Sequence, residues 1–202
     1  MKLLIVSSSQ REGSQSAKVA QYLYDNNKDF NEVNHLELCR YALPFWNGDS
    51  HTKSQDSSTW PFISQQVKQA DALILITPEW GGMASPLLKN FLLMCDNQDT
   101  AHKPALLMSV VSGISGAYPI AELRMNALKN NKLVATPDHL IIRNVTEVLN
   151  TQAIASERDK SIKERIDYST HMLHQYAKAL FSIRQQHSAT PYPKQQEYAY
   201  GM

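Results

Sequence analysis

A serine-rich segment near the amino terminus carries residue types that bind phosphate. Residues 7–16, here called the first segment, are Ser-Ser-Ser-Gln-Arg-Glu-Gly-Ser-Gln-Ser and lie between an apolar run and a helical pattern. A helix amino terminus suits an anion because it offers unpaired N–H groups and a positive dipole end. For the serines alone, helix capping by Ser14 or Ser16 is the simpler interpretation. Arg11 adds a charge-assisted bond that is often bidentate, so the segment as a whole predicts a phosphate site.

Two further segments suit a flat ligand. Residues 77–90, the second segment, begin Thr-Pro-Glu-Trp-Gly-Gly. A proline, an aromatic ring and paired glycines allow the backbone to press against a planar ring. Residues 112–116, the third segment, are Ser-Gly-Ile-Ser-Gly. Trp46 and Trp60 bracket a polar stretch, and they would either cover such a ring or pack at the edge of the core.

Other phosphate and metal motifs are absent from the sequence. It contains no G-x-x-x-x-G-K-[ST] and no G-x-G-x-x-G, which argues against a P-loop NTPase and against a Rossmann-type dinucleotide site. Neither Cys39 nor Cys95 begins a phosphatase C-x-x-x-x-x-R loop, and both are expected to be small buried residues. His171 and His174 are expected at the surface or at an interface, so no metal site is predicted.

An alternation of strands and helices must position these segments. Strands are predicted at 2–7, 33–39, 72–77, 105–111 and 140–145, and helices at 14–26, 87–94, 120–130 and 157–185. This α/β pattern predicts a parallel sheet with helices on both faces. In such sheets, ligands bind beyond the carboxyl ends of the strands. The three segments follow three of the predicted strands and are therefore expected at one edge.

The domain organisation is expected to be simple. One domain would cover residues 1–186, with a polar surface loop at 41–60 and a tail at 187–202. Pro191 prevents the last helix from continuing through the tail. The tail is either a frayed terminus or an arm that docks on a neighbouring subunit through Tyr192, Tyr198 and Tyr200.

Charge and hydropathy exclude several classes of partner. The net charge is +1, from 20 basic and 19 acidic side chains, and no basic stripe supports binding to nucleic acid or to a membrane surface. The apolar runs are too short to span a bilayer. No signal-peptide pattern is present, so the cytoplasm is the expected location.

These residues together resemble the NADPH-dependent FMN reductase family, which includes quinone, chromate and azo-dye reductases. The family carries G-S-x-R-x-x-S, T-P-E-Y-N-x-x-x-P-x-x-L-K-N and a Ser/Gly-rich loop where this chain has its three segments, and the resemblance covers residues 2–145. It implies a flavodoxin-like three-layer sandwich with a five-stranded parallel sheet in the order 2-1-3-4-5. It also implies a homodimer or homotetramer with flavin sites near the subunit contact.

The resemblance implies a set of cofactor-binding residues. The FMN phosphate would be held by Ser9, Arg11, Ser14 and Ser16. The isoalloxazine ring would be lined by Pro78, Glu79, Trp80, Gly81 and Gly82 on one side and by Ser112, Gly113 and Gly116 on the other. No side chain is assigned a catalytic role, because the cofactor of such an enzyme carries the chemistry.

The chain departs from the family pattern at three places. Ser8 replaces a glycine, which narrows the room near the phosphate. Trp80-Gly81 replaces Tyr-Asn, which keeps an aromatic plane but removes a side-chain amide. The third segment is one glycine shorter than in the family.

The activity implied is electron transfer from NADPH or NADH, through bound FMN, to a small acceptor such as a quinone, an azo compound, a metal oxyanion or free flavin. One alternative is an FMN-binding electron carrier or redox sensor without fast NAD(P)H turnover. Another is an interaction module that kept only the fold. A net charge of +1 disfavours an acidic carrier, and Arg11 with the second segment disfavours the module.

Overall fold

The computed structural model describes residues 1–198, which surround a five-stranded parallel sheet in the order β2-β1-β3-β4-β5. The strands are β1 (Lys2–Ser7), β2 (Glu32–Glu37), β3 (Ala72–Pro78), β4 (Pro104–Val110) and β5 (Val134–Ile142). Every residue of β3 and β4 is buried, as expected for strands covered on both faces. The structure therefore confirms the predicted flavodoxin-like sheet.

Two layers of helices cover the sheet. The helices are α1 (Gln15–Asp25), α2 (Trp60–Gln69), α3 (Pro86–Met94), α4 (Asn97–Thr100), α5 (Ala117–Glu122) and α6 (Glu157–Ala189). Successive side chains of a strand point to opposite faces. Thus Leu4 and Val6 of β1 belong to the core cluster with α2, α3 and α5. Leu3 and Ile5 belong to the cluster with α1 and α6 on the other face.

Helix α2 was not predicted from the sequence. Trp60, expected at the end of a surface loop, is the first residue of this helix and is only 4% exposed. Its ring meets that of Phe91 edge to face, with centroids 6.0 Å apart. Trp60 is therefore a core residue and does not cover a ligand.

The predicted boundaries of the last strand were wrong. The prediction was 140–145, whereas β5 covers Val134–Ile142 and includes Pro137. Because β5 is an edge strand, a proline that lacks an N–H is tolerated there. The helix predicted at 120–130 is instead α5 followed by a π-helical turn, Leu123–Ala127.

The segment between β2 and α2 is tied to the core by Asn90 of α3. The Asn90 amide oxygen accepts from the Trp46 N–H at 2.8 Å, and the amide nitrogen donates to the Pro44 carbonyl at 3.0 Å. Within this segment, Ser50–Ser54 forms a 3-10 turn. The side chain of Thr52 is buried there.

Most of the described chain beyond α6 is exposed. Helix α6 ends at Ala189, and Tyr192 and Tyr198 expose most of their surface. Tyr200 lies outside the described residues. None of the helices within residues 1–198 combines the length and hydrophobicity that a membrane-spanning helix needs. Of the two cysteines, Cys95 is buried as expected, whereas Cys39 is partly exposed.

Candidate functional site

The three segments meet at the carboxyl edge of the sheet. The first segment follows β1, the second follows β3, and the third follows β4. These strands are neighbours in the sheet, because β1 pairs with β3 and β3 pairs with β4. The segments are therefore brought together by strand order alone.

The first segment is folded tightly against β3. The Ser8 hydroxyl donates to the Ile76 carbonyl at 2.7 Å, so the serine that replaces the family's glycine is buried and bonded to the backbone. The Ser9 hydroxyl accepts from the Arg11 N–H at 3.2 Å. Gly13 takes a φ of +60°, in the region that favours glycine. The segment is thus a turn that leads the chain into α1.

The amino terminus of α1 has the electrostatics of an anion site. The Ser14 hydroxyl caps the helix by accepting from the Ala17 N–H at 3.1 Å. The first turn of α1 carries no acidic residue. The Arg11 side chain is exposed, so its guanidinium is accessible to a ligand. Ser16 is 1% exposed, and its hydroxyl oxygen has no hydrogen-bond partner among the described residues.

A partly buried histidine lies beside the first segment. The Ser7 hydroxyl at the end of β1 lies 2.8 Å from Nε2 of His35 on β2. Burial lowers the pKa of His35, and Arg40 adds to this effect. The ring is therefore held in its neutral form, which suits hydrogen bonding to a hydroxyl.

The second segment contains a tight hairpin turn. Trp80 and Met83 pair through both backbone bonds, at 3.2 and 3.1 Å. Gly81 and Gly82 at its tip have φ values of +57° and +78°, which match the two central positions of a type I′ turn. Trp80 is half-buried, and Gly81 is exposed. A planar ligand can approach this tip because its two central residues have no side chains.

Buried bonds fix the base of the second segment. The Thr77 hydroxyl accepts from the Ser85 N–H at 2.8 Å, and the Ser85 hydroxyl donates to the Ser8 carbonyl of the first segment at 2.6 Å. The same Ser85 hydroxyl caps α3 by accepting from the Leu87 N–H at 3.1 Å. One side chain thus joins two of the segments and starts a helix.

Glu122 of α5 holds the far side of the second segment. Its carboxylate accepts from the Ala84 N–H at 2.8 Å and pairs with the Lys89 ammonium at 2.9 Å. Burial alone would raise the pKa of Glu122, but these two donors outweigh burial and hold the pKa below its ordinary value. The carboxylate is therefore charged at neutral pH and positions Lys89, which has a structural role.

The third segment is exposed along 112–115 and anchored at its end. Gly116 is buried with a φ of +103°, and its carbonyl accepts from the Ser109 hydroxyl at 2.6 Å. A Cβ atom at this position would collide with Ile141 and would lie 2.8 Å from the Ser109 hydroxyl. Only glycine fits there.

Arg143, directly after β5, supports the same segment. Its Nε donates to the carbonyls of Ile114 and Ser115, at 2.6 and 2.9 Å. The backbone of Asn144 donates to the Gly113 carbonyl at 3.1 Å. The third segment therefore depends on residues from a different strand.

Side chains connect the segments across the site. The Arg11 guanidinium lies 5.4 Å from the centroid of the Trp80 ring. The Ser115 hydroxyl donates to the Glu79 carboxylate, and the Glu79 N–H donates to the Val110 carbonyl at 3.1 Å. The twelve residues predicted to bind the cofactor thus lie along one edge, although the hydroxyl of Ser16 points into buried surroundings.

The residues at this edge fit FMN in both of its parts. The capped amino terminus of α1, with the exposed Arg11 beside it, suits the phosphate. A glycine-tipped turn beside an aromatic ring suits the flat ring system. These two features lie next to each other, because Arg11 and Trp80 are in contact.

Comparison with known proteins also points to FMN. A family model described as NADPH-dependent FMN reductase matches residues 1–147. The chain belongs to this family. The family's description names FMN and NADPH, and the assignment of twelve binding residues stays a prediction.

Two curated relatives match part of the chain. The NADPH azoreductase of Bacillus sp. (strain OY1-2) is 30% identical over 116 residues, which are 57% of this chain and 62% of that protein. The quinone reductase of Escherichia coli (strain K12) is 27% identical over 119 residues, 57% of this chain and 63% of that protein. The matches thus span less than two thirds of either relative.

Solved structures show the same fold. FerB from Paracoccus denitrificans, a flavoenzyme NAD(P)H:(acceptor) oxidoreductase, superposes with a TM-score of 0.68 at 17% identity. The superposition covers 88% of this chain and 97% of that chain. At this identity the likeness concerns the fold.

Several residues that shape the site were not singled out from the sequence. Ser85, Glu122 and Arg143 act through contacts with residues far away in the chain. Only Ser85 had a local signal, because serine before Pro86 is the pattern of a helix N-cap followed by a proline at the first helical position.

Two features lie outside this site. A cavity of about 1060 Å³ runs along the outer side of α3, and none of the twelve predicted residues lines it. His171 and His174 both approach Asp29, with Nδ1 to Oδ1 distances of 3.4 and 4.0 Å. Within residues 1–198, no group of three or more His, Cys, Asp or Glu side chains is arranged to hold a metal ion.

Proposed function

We propose that this protein is an NAD(P)H-dependent FMN oxidoreductase whose acceptor is a small molecule such as a quinone, an azo compound, a metal oxyanion or free flavin. The observation that carries the proposal is the meeting of three segments at one edge, with an anion site at one end and a glycine-tipped aromatic turn at the other. The names of the two curated relatives support azo compounds and quinones as acceptor classes.

The residues of this chain would bind and orient rather than exchange protons. The N–H groups at the start of α1, together with Ser9, Ser14 and Arg11, would hold the phosphate. Trp80 and the turn at Gly81 and Gly82 would support the flat ring. When bound, FMN accepts a hydride from a nicotinamide and passes electrons to the acceptor. The exposed third segment would leave room for both small molecules to reach the same place.

Self-association is part of the proposal. Three large apolar side chains at the site are exposed. Met83 of the second segment exposes 56% of its surface, Ile114 of the third segment 82%, and Tyr118 of α5 72%. Apolar side chains grouped beside a cofactor site are typical of an interface. We expect a homodimer or homotetramer that buries this surface, with the tail at 187–202 either extended or docked on the neighbouring subunit. We also expect the protein in the cytoplasm.

The first experiment is a visible spectrum. The purified protein is mixed with FMN, freed of excess, and then treated with NADPH or NADH under anaerobic conditions. A retained flavin band that bleaches within seconds is the expected result. A band that persists with both donors would replace the enzyme by an electron carrier or sensor, and loss of the band on removing excess FMN would contradict the cofactor site.

Arg11→Gln tests the phosphate end separately. Loss of a charge-assisted bond is expected to raise the dissociation constant of FMN by roughly tenfold or more. Binding of riboflavin, which lacks the phosphate, should not change. Lys28→Gln is a suitable control, because Lys28 is an exposed cation paired with Asp167, outside the three segments. Equal weakening of FMN and riboflavin would show that Arg11 does not bind the phosphate.

A further inference from the structure

A second cavity lies beside the third segment. It has a volume of about 640 Å³ and lies between the chain that follows β5 and one face of α6. Arg143 lines it from the chain that follows β5, while Arg158 and Arg165 line it from α6. The two helix residues are seven apart, which places them two turns along the same face. Three arginines therefore line one cavity.

The three arginines have N–H donors beyond those used in the bonds described for them. Arg143 uses only Nε, for the carbonyls of Ile114 and Ser115, so its two terminal nitrogens have no hydrogen-bond partner among the described residues. Arg158 pairs through one terminal nitrogen with Glu147, and both side chains are more than half exposed. An arginine carries five N–H donors in a rigid fork. An exposed pair of this kind contributes little to stability, so an arriving anion can replace the carboxylate.

The remaining wall suits a flat, partly apolar group. Tyr168 stacks near Arg165, with the guanidinium carbon 5.7 Å from the ring centroid, and Ile141 and Ile162 line the same space. Arg165 is also held by Asp138 at 3.1 Å, which fixes its position. One carboxylate, Glu164, lines the cavity against the three arginines. The lining thus offers cationic donors beside an aromatic face, the combination that binds a nucleotide carrying a phosphate monoester.

The cavity and the third segment share one residue, Arg143. Arg143 lines the cavity and also holds the third segment through its Nε. It follows β5, which pairs with the strand that leads into the third segment, and paired strands lie about 4.8 Å apart. The cavity therefore adjoins the third segment through Arg143, and a dinucleotide bound at that segment would have the cavity as a neighbouring site.

We propose that this cavity binds the 2′-phosphate of NADPH through Arg143, Arg158 and Arg165. The inference rests on the proposed function and extends it by locating the determinant of donor preference. Arginines are the side chains that accommodate a 2′-phosphate in other dinucleotide sites. NADH lacks this group and would gain nothing from the three arginines, so the cavity favours NADPH.

The direct test is calorimetric titration of the protein with adenosine 2′,5′-bisphosphate, with ADP as the probe that lacks the 2′-phosphate. The bisphosphate is expected to bind at least tenfold more tightly than ADP. The double variant R158Q/R165Q should remove this preference. Arg40→Gln is the control, since the Arg40 side chain is about as exposed as that of Arg158 and pairs with Glu37 away from the cavity. Absence of binding, or a preference that survives in the double variant, would overturn the proposal.

Kinetics separates this proposal from the proposed function. In R158Q/R165Q the KM for NADPH should rise at least tenfold, while the KM for NADH and both kcat values stay within twofold. Equal changes for the two donors would overturn the subsite while leaving the reductase intact. If neither donor reduces the flavin but the bisphosphate still binds through these arginines, the reductase proposal fails and the anion site stands.

Discussion

The second and third segments lie on neighbouring strands at one edge of the sheet, but they are held in different ways. The second is fixed by several buried bonds, including those of Ser85 to Thr77 and to Ser8. The third is exposed along 112–115 and is held by the buried Gly116 at its end and by bonds from Arg143 and Asn144 after the next strand. A segment with many buried bonds survives the loss of one, whereas an exposed segment with few supports is more sensitive to the loss of any of them.

The largest effect is expected from Gly116→Ala. The added Cβ collides with Ile141 in a conformation that side chains rarely adopt, so we expect a loss of about 3 kcal/mol or more in the free energy of unfolding. Urea denaturation measures this loss, and flavin retention should fall with it. Gly113→Ala is the matched control, because a Cβ there meets no atom within 4 Å. Similar losses in both variants would show that the whole segment, rather than its anchor, is sensitive.

An intermediate effect is expected from Ser85→Ala. The change removes a helix cap and deprives the Ser8 carbonyl of the Ser85 hydroxyl donor, which together should cost about 2 kcal/mol. The second segment should keep its shape, so the affinity for FMN should change by less than threefold. Ser182→Ala, an exposed serine of α6 bonded to the Ala179 carbonyl, serves as the control. A large loss of FMN binding in Ser85→Ala alone would contradict the view that the remaining bonds suffice.

The smallest effect is expected from Glu122→Gln, and it should depend on pH. Because the pKa of Glu122 is held below its ordinary value of 4.5, the charged carboxylate stabilises the folded protein above that value. This contribution is lost as the pH falls through the lowered pKa. The variant should be less stable by about 1 kcal/mol at pH 6, and the difference should shrink towards pH 3. Urea denaturation at both pH values measures it.

The same measurement on Glu157→Gln is the control, since Glu157 is an exposed carboxylate at the start of α6. A difference between wild type and Glu122→Gln that stays constant with pH would show that the Lys89 pair does not stabilise the second segment. The bonds described for Glu122 go to Ala84 and Lys89 of the second segment, so the stability of the third segment should not follow this titration.

The sheet could be predicted from the sequence because its three central strands are continuous apolar runs. Strand β5 could not be placed correctly, because Pro137 and Asp138 interrupt its apolar pattern and its pairing with β4 determines its position. Helix α2 was missed for a related reason. It begins Trp-Pro-Phe directly after a polar stretch, and its helical face is defined by contact with Phe91 and the sheet.

The candidate site could be located from the sequence because parallel strands carry their following loops to one edge. The loop residues themselves were visible as Ser/Arg-rich and Gly-rich patterns. Their supports were not, since Glu122 and Arg143 lie in elements whose local sequences give no sign of a contact with Ala84 or Ile114. Such long-range contacts are set by tertiary packing and have no sequence period.

The two bonds of Asn90 divide the chain between β2 and α2 into parts with different tolerance to change. Residues 44–46 are tied to α3, and Thr52 is buried, whereas Gln55, Asp56 and Ser57 are exposed. A peptide or a small domain inserted at 55–57 would therefore leave both ties intact. This chain thus has a natural position for an affinity tag or a fluorescent fusion at a distance from either terminus.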